Sequence, residues 1–164
     1  MRTSHPESWW QSFMQQNIIK ILPQYVRCYP MVNLSVGSTK YPDFLLETHD
    51  GYLDVFEIKK PDTPLLKEDR SHRNYYWGDN LARAISQVAH YLNEIERQSF
   101  AICDHLRKTY NADVKLTRPK GIILAGDMRM LSEDAKNDFR LLSQLLNGIE
   151  CRTYDDLLIN LTRT

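Results

Sequence analysis

The sequence predicts an α/β fold with an αβββαβ core, in which helices flank a mixed central sheet, and a C-terminal α-β-α extension. Apolar runs at 44–46 and 52–58, joined by a short loop, predict a β-hairpin. A 3.6-residue apolar period over 81–95 predicts a long helix, and the apolar run at 121–125 predicts a buried parallel strand. With 164 residues, 42% of them hydrophobic, we expect residues 1–164 to form one domain.

The first helix is predicted from its N-terminal signals. Ser4 and Glu7 have the Ser-x-x-Glu spacing of a capping box, and Pro6 lies in the first turn. Pro23 ends the helix. Glu7 has two interpretations: its carboxylate bonds back to the helix N-terminus, or it is an accessory acid that holds a water in a metal site. Alternating apolar residues then predict a strand over 25–36, despite Pro30.

The hairpin loop determines which residues of the two strands face each other. Its three residues, His49, Asp50 and Gly51, place a glycine where a positive φ is favoured. Strands folded symmetrically about Asp50 pair residues whose numbers sum to 100, so Asp43 faces Glu57. Opposed Cβ atoms lie about 4.5 to 5.5 Å apart. We therefore expect two carboxylates side by side on one face of the sheet.

Two carboxylates this close repel and raise each other's pKa unless a cation lies between them. A hard divalent ion such as Mg²⁺ or Mn²⁺ suits oxygen ligands. The two-residue period of a strand places Lys59 on the same face as Glu57, with Ile58 pointing into apolar packing. These groups can support metal-assisted phosphodiester hydrolysis, in which Lys59 orients the nucleophile and stabilises the transition state. The alternative is an exposed strand end with Lys59 and Lys60 as solvated charges.

Residues 61–78, PDTPLLKEDRSHRNYYWG, are rich in proline and charge, and we expect them to lack regular structure. Basic and aromatic side chains alternate there, as expected of a loop that contacts phosphates and stacks on bases. The alternative is that the aromatic residues hold the loop against the core. With the preceding lysine, the candidate DNA contacts are Lys60, Lys67, Arg70, Arg73, Tyr75 and Tyr76.

A helix capped by Asp79 or Asn80 is predicted to run to about Gln98. At 100° per residue, Asn80, Gln87 and Tyr91 lie together on one shoulder of its apolar stripe. Residues 100–110 are expected to add a further helical turn or two.

The C-terminal part of the chain predicts three more elements. Ser132 is expected to cap a helix that ends before Gly148, residues 149–152 form a short strand, and Thr153 with Asp156 caps the last helix.

Composition excludes several classes of protein. The three cysteines form no CxxC pair, and the apolar runs are too short for a signal peptide or a membrane span, so we expect a cytoplasmic protein with no membrane partner. The formal net charge is zero, but five basic residues and one acid lie between 105 and 120. One interpretation is that this segment is a basic edge that faces DNA, and another is that these are ordinary solvated surface charges. A third is that oligomerisation assembles a basic groove.

Gln87 and Tyr91 form a QxxxY motif after the strand motif, as in the RecB-like branch of the PD-(D/E)XK nucleases. The order ESWWQSFMQQN, YPDFLL, DVFEIKKPDTPLL, AISQVAHY, RPKGIILAGD and TYDDLL resembles, over most of the chain, the Shedu-type nuclease domain of bacterial anti-phage defence proteins. The resemblance implies a restriction-endonuclease-like core. It also implies a catalytic set of Asp43, Glu57, Lys59 and Gln87 with Tyr91 beside it, and Mg²⁺ or Mn²⁺ held by Asp43, Glu57 and the Ile58 carbonyl.

The expected function is therefore metal-dependent cutting or nicking of duplex DNA in anti-phage defence, by a homo-oligomer. The domain is expected either to stand alone or to be the C-terminal domain of a longer protein. One alternative is a nucleic-acid-binding or oligomerising module that is inactive or restrained by itself. Another is RNA or branched nucleic acid as the substrate, because metal–phosphate chemistry is shared between them.

Overall fold

The structure is a computed structural model that describes residues 5–34 and 41–162. Five consecutive strands separate the first two helices, helices and strands alternate after them, and a short 3₁₀ turn lies at Met128–Met130. In chain order they are α1 (Glu7–Ile21), β1 (Tyr25–Pro30), β2 (Phe44–Thr48), β3 (Leu53–Ile58), β4 (Leu66–Asp69), β5 (Asn74–Trp77), α2 (Asp79–Tyr110), β6 (Gly121–Leu124), α3 (Glu133–Gln144), β7 (Ile149–Arg152) and α4 (Tyr154–Thr162).

The main sheet has five strands in the order β1-β2-β3-β6-β7. The first three strands pair antiparallel, whereas β6 and β7 run parallel to β3. Gly51 has φ +81° in the hairpin turn, and Phe44 pairs with Phe56, so the predicted sum of 100 is confirmed. Every residue of β3 and β6 is buried, as expected of strands covered on both faces.

Helices cover the two faces of the sheet. Alternate residues of β3 point to opposite faces, so Phe56 packs in the core beneath α1 and α4 while Val55 packs beneath α2 and α3. Ile58 is fully buried on the α1 face, as predicted. The αβββαβ core, the mixed sheet flanked by helices and the C-terminal α-β-α extension are therefore confirmed.

Strand β1 ends at Pro30, earlier than the prediction of 25–36. Met31 has φ +52°, which an extended strand does not allow, and Pro30 has no N–H to extend the ladder. Val32 and Leu34 are nevertheless buried, so their alternation reflected burial rather than strand pairing. The rest of the predicted strand lies outside the described residues.

Helix α2 differs from the prediction at both ends. Gly78 is its N-cap, and neither Asp79 nor Asn80 supplies a side-chain cap. The backbone leaves helical geometry at Gln98 (φ −114°, ψ 16°), where the helix was predicted to end, but resumes and continues to Tyr110. Asn111 then adopts the left-handed conformation that commonly ends helices.

Residues 61–78 contain a two-stranded hairpin, so the expectation of no regular structure was wrong. β4 pairs antiparallel with β5, matching Leu66 with Trp77 and Lys67 with Tyr76. Trp77 packs edge-to-face on Phe139 of α3, with ring centroids 5.6 Å apart. This packing holds a short, polar hairpin that could not form alone.

Of the caps predicted for the last two helices, the one at Ser132 is confirmed and the one at Thr153 is wrong. Ser132 caps α3, because its hydroxyl accepts a bond from the Ala135 amide at 3.2 Å. Thr153 precedes α4, but its buried hydroxyl has no hydrogen-bond partner in the described part of the chain, so it is not the predicted cap. Ser4 of the predicted N-terminal capping box lies outside the described residues. No helix within 5–34 and 41–162 is long and apolar enough to cross a membrane.

Gly121 lets β6 approach α2, and substitution to alanine tests this contact. A Cβ at Gly121 would lie 2.2 Å from Cγ1 of Val88, a branched side chain that has little room to move. We expect Gly121→Ala to lower the free energy of unfolding by about 1–3 kcal/mol. Thermal unfolding followed by circular dichroism would then show a Tm about 2–12 °C lower.

The matched control is Gly148→Asn, at a glycine with φ +75°. A Cβ at this position would have no atom within 4 Å, and asparagine tolerates the left-handed backbone. An unchanged Tm for Gly121→Ala would contradict the close packing of α2 on β6.

Candidate active site

Asp43 and Glu57 lie together at the open end of the β2–β3 hairpin. Asp43 directly precedes β2, and its backbone carbonyl accepts a bond from the Met31 amide at 3.3 Å. Its side chain accepts from the Ile58 amide at 2.7 Å through Oδ2 and from Gln11 Nε2 at 2.8 Å through Oδ1. The carboxylate is thus held in one orientation by β3 on one side and by α1 on the other.

Glu57 is buried, with 3% of its surface exposed. Its Oε1 accepts a bond from the Lys59 ammonium at 3.0 Å. Its Oε2 is buried without a hydrogen-bond partner among the described residues. A buried carboxylate oxygen without a partner is costly, so this oxygen marks a position where a cation would be strongly favoured.

Burial and mutual repulsion both act on the acidic pair. Burial, followed by the charge of Glu57, raises the pKa of Asp43 to about 7. Burial also raises the pKa of Glu57, although Lys59 opposes the effect. Burial works against the charged form of Lys59, but the Glu57 carboxylate outweighs it, so the pKa of the ammonium is raised. Lys59 therefore stays charged while the acids resist ionisation in the absence of a metal.

Glu7 belongs to the same cluster. Its carboxylate lies 3.8 Å from the Lys59 ammonium. Ser4, the partner of Glu7 in the capping interpretation, lies outside the described residues, so both interpretations of Glu7 stay predictions.

The backbone of Lys59 is fixed from two sides. Its amide donates to the Leu124 carbonyl at 2.8 Å, and its carbonyl accepts from the Tyr154 hydroxyl at 2.7 Å. The first bond continues the pairing of β3 with β6, and the second ties α4 to the site.

The QxxxY pair supports the segment that leads into Asp43. Gln87 Nε2 donates to the Tyr91 hydroxyl at 2.5 Å, which donates to the Tyr41 carbonyl at 2.8 Å. Tyr91 is buried and Gln87 is exposed. Burial, then the charge of Glu57, raises the pKa of Tyr91 to about 12, so its hydroxyl remains a donor. The motif thus fixes the backbone at Tyr41, two residues before Asp43.

A pocket of about 330 Å³ opens beside this cluster. One wall is a face of α2, and the other is formed by the start of α1 and the segment after β3. Its lining residues are Glu7, Lys59, Lys60, Thr63, Asn80, Arg83, Ala84 and Gln87. Of the predicted catalytic set, Lys59 and Gln87 line the pocket, whereas Asp43 and Glu57 do not. Glu57 is connected to the pocket by its bond to Lys59, and Asp43 by its bond to the neighbouring Ile58 amide.

Sequence reasoning missed three residues of the site. Gln11 lies one turn after Glu7 on α1, and Arg83 lies one turn before Gln87 on α2, so helical spacing from the predicted residues could have found both. Tyr154 reaches Lys59 only through the packing of α4, and no local pattern indicates it.

The predicted DNA contacts do not form one group. Lys60 pairs with Asp62 at 3.2 Å beside the pocket, Lys67 pairs with Asp79 at 2.5 Å, and Arg70 lies 3.6 Å from Glu68. Arg73 is exposed in the turn of the β4–β5 hairpin, with φ +55°.

The two tyrosines of the hairpin point in different directions. The Tyr75 hydroxyl lies 3.5 Å from Ser132 Oγ at the start of α3, and the backbone amide of Tyr75 donates to Asp138 at 2.8 Å. Tyr76 is 47% exposed on the outer face opposite Lys67. Tyr75 therefore agrees with the interpretation in which an aromatic residue holds the segment against the core, whereas a DNA contact of Tyr76 stays a prediction.

The basic segment 105–120 lies at the opposite end of β3. The Lys115 amide donates to the Gly51 carbonyl in the hairpin turn, and its ammonium lies 5.1 Å from the centre of the Tyr52 ring. The six residues of β3, about 17 Å of strand, separate that end from the carboxylates. Two of its cations are also paired, Arg107 with Asp113 and Lys108 with Asp104. The segment therefore does not border the pocket.

The oxygen atoms at the site fit a hard divalent cation. The Asp43 carboxylate uses two of about four lone-pair positions, and Glu57 Oε2 is unpaired in the described chain. The Ile58 amide points toward Asp43, and in an extended strand the carbonyl of the same residue points to the same side. No group of three or more His, Cys, Asp and Glu side chains suited to a metal occurs within 5–34 and 41–162, so a backbone oxygen is needed to complete such a site.

An αβββαβ core with two carboxylates and a lysine at the end of its hairpin, facing a QxxxY helix, is a nuclease-like domain of the PD-(D/E)XK class. The chain belongs to the family described as Shedu protein SduA, C-terminal, whose family model matches residues 4–158. The family predicted from the sequence is thereby confirmed.

No curated protein matches the chain. Among solved structures, the chain is similar to the crystal structure of a repair endonuclease from Pyrococcus abyssi, with 19% sequence identity and a TM-score of 0.34. The match covers 93% of this chain and 48% of that enzyme, so the chain spans about half of the length of that enzyme.

The raised pKa of Asp43 predicts an unusual dependence of stability on pH. Between its ordinary value of 3.8 and its folded value of about 7, the folded state holds the proton more tightly than the unfolded state. Stability from this group is fully present below pH 3.8 and is lost as the pH rises through 7, by up to about 4 kcal/mol. Urea unfolding in EDTA from pH 4 to 8 measures the loss.

Asp43→Asn removes the titrating group while keeping its shape, and we expect a weaker dependence on pH and a more stable protein at pH 8. Asp113→Asn, at a side chain that is 91% exposed, is the control and should behave like the parent protein. A parent protein that gains stability between pH 4 and 7 would contradict the buried, repelling pair.

Proposed function

We propose that this domain is a metal-dependent deoxyribonuclease that hydrolyses phosphodiester bonds of duplex DNA, as part of a bacterial anti-phage defence system. The observation that carries the proposal is the buried Oε2 of Glu57, which has no hydrogen-bond partner among the described residues. It belongs to a carboxylate whose other oxygen bonds Lys59 and whose charge acts on Asp43. Membership of the Shedu family supports the role in defence.

Each residue of the site has a role in this reaction. Asp43, Glu57 and the Ile58 carbonyl would hold Mg²⁺ or Mn²⁺, which when bound supplies a Lewis acid for the phosphoryl oxygens and for water. Lys59 presents a permanent positive charge at the pocket, where it orients the attacking water and stabilises negative charge that develops on the phosphate. Glu7, across from Lys59, is placed to accept a proton or to orient that water.

Gln11 and Tyr154 act as positioning residues. Gln11 holds the Asp43 carboxylate from the α1 side, and Tyr154 holds the Lys59 carbonyl from α4. Preorganised charges need no rearrangement when the transition state forms, which is the main source of electrostatic catalysis. The helices that cover the sheet thus also fix the reacting groups.

Two substitutions separate metal binding from chemistry. We expect Glu57→Gln to abolish cleavage of supercoiled and linear DNA and also to abolish the rise in Tm on addition of Mn²⁺, because a metal ligand is lost. Lys59→Ala should keep the Mn²⁺-induced rise in Tm, but its turnover number should fall about 10²- to 10³-fold, because the variant no longer stabilises the negative charge of the transition state.

Lys115→Ala is the matched control, a lysine at the other end of the same sheet, and it should retain both properties. Lys59→Ala with full activity would contradict the role of the ammonium. If the parent protein binds DNA but fails to cut it with either metal, the domain is instead a restrained or binding module.

The two tyrosines of the β4–β5 hairpin test its contact with DNA. We expect Tyr76→Ala to weaken duplex binding several-fold without changing Tm, because its ring is exposed beside Lys67. Tyr75→Ala should lower Tm, since it removes a half-buried ring whose hydroxyl lies 3.5 Å from Ser132 Oγ at the start of α3, and should affect binding little. Fluorescence anisotropy with labelled DNA and thermal unfolding measure the two effects. The reverse pattern would show that the outer face of the hairpin is not a DNA contact.

A further inference from the structure

Arg83 is a cation on the pocket wall that the catalytic residues leave unused. The wall formed by α2 consists of Asn80, Arg83, Ala84 and Gln87, which share one helix face because their spacings are three, four and seven residues. Ala84 is fully buried against the sheet, so the backbone beneath Arg83 is anchored. The guanidinium is therefore presented to the pocket from a rigid support.

The other cations near the pocket are engaged with carboxylates. Lys59 pairs with Glu57 and Glu7, and Lys60 pairs with Asp62. Arg83 makes no hydrogen bond or ion pair within residues 5–34 and 41–162. Asp79 lies one turn earlier on α2, and the charge of Arg83 contributes to lowering its pKa. The Asp79 carboxylate is, however, bonded to Lys67 at 2.5 Å. Arg83 thus has its full set of donors available to a ligand in the pocket.

Chemistry and position together indicate the ligand. An arginine guanidinium offers planar, paired donors that match phosphate oxygens, and it cannot be deprotonated. Arg83 is about 6 Å along α2 from Gln87, on the side toward Lys67 and away from the acidic pair. We propose that Arg83 binds a phosphate of the substrate backbone adjacent to the phosphate that is cleaved.

This inference rests on the proposed function and adds the direction in which the bound DNA strand leaves the pocket. A strand held by Arg83 leaves the pocket toward Lys67 on the outer face of the β4–β5 hairpin, where Tyr76 is exposed. The basic segment 105–120, at the far end of β3, is outside this path.

The experiment measures binding of a short duplex DNA to the full chain in EDTA, where no cleavage occurs. We expect Arg83→Gln to weaken binding about 10- to 100-fold at moderate salt and to reduce the slope of log K against log salt by about 0.9. Arg83→Lys should retain the slope, because the charge remains, while binding more weakly than arginine. The Mn²⁺-induced rise in Tm should be unchanged in both variants, which separates phosphate contact from damage to the metal site.

Arg97→Gln is the control, an exposed arginine on the same helix about 21 Å farther along its axis, and it should leave the affinity unchanged. Parent-like affinity and slope in Arg83→Gln would overturn the role of Arg83 while leaving the proposed nuclease intact. Equal losses in Arg83→Gln and Arg97→Gln would also overturn it, because the effect would be one of net charge. A parent chain that does not bind DNA at all would overturn both the inference and the proposed function.

Discussion

The site depends on the enforced proximity of two carboxylates that would move apart in water. Asp43 and Glu57 are neighbours because the Gly51 turn sets a register that pairs Phe44 with Phe56, and the Ile58 amide keeps Asp43 against β3. Repulsion and burial favour protonation of the pair, whereas a cation would restore both charges. The fold therefore stores an unfavourable arrangement that ligand binding can relieve, and stability elsewhere in the domain has to support it.

That support comes from the packing of every neighbouring element on the end of β3. The parallel neighbour β6 holds the Lys59 amide, α4 holds its carbonyl, and α1 contributes Gln11 and Glu7. Gly121 allows α2 to lie close enough for Gln87 to face the pocket. Helices on both faces of the sheet thus converge on the end of β3 that carries the carboxylates.

How much the sequence predicts depends on the range of the interactions. The hairpin register, the buried strand β6 and the Ser132 cap follow from signals within a few residues, and all three are found in the structure. The β4–β5 hairpin was missed because its short, polar strands carry little alternation and are held by Trp77 on Phe139. Further helical turns were predicted at 100–110, but not that they continue α2, because buried residues such as Ile102 and Leu106 stabilise one helix across the local kink at Gln98.

The same distinction explains the site residues. Asp43, Glu57 and Lys59 are readable because strand geometry alone places them on one face, whereas Gln11 and Tyr154 reach the site through contacts between elements 32 and 95 residues apart in sequence. The structure also separates the positive charges in space. The basic segment 105–120 lies beyond the far end of β3, while the few cations at the pocket come from separate parts of the chain. For a chain of zero net charge, such local concentration matters more than total charge, because counterion release depends on the phosphates actually contacted. In the proposed function, the cations beside the buried acidic pair would attract the phosphates of a substrate that the two carboxylates repel.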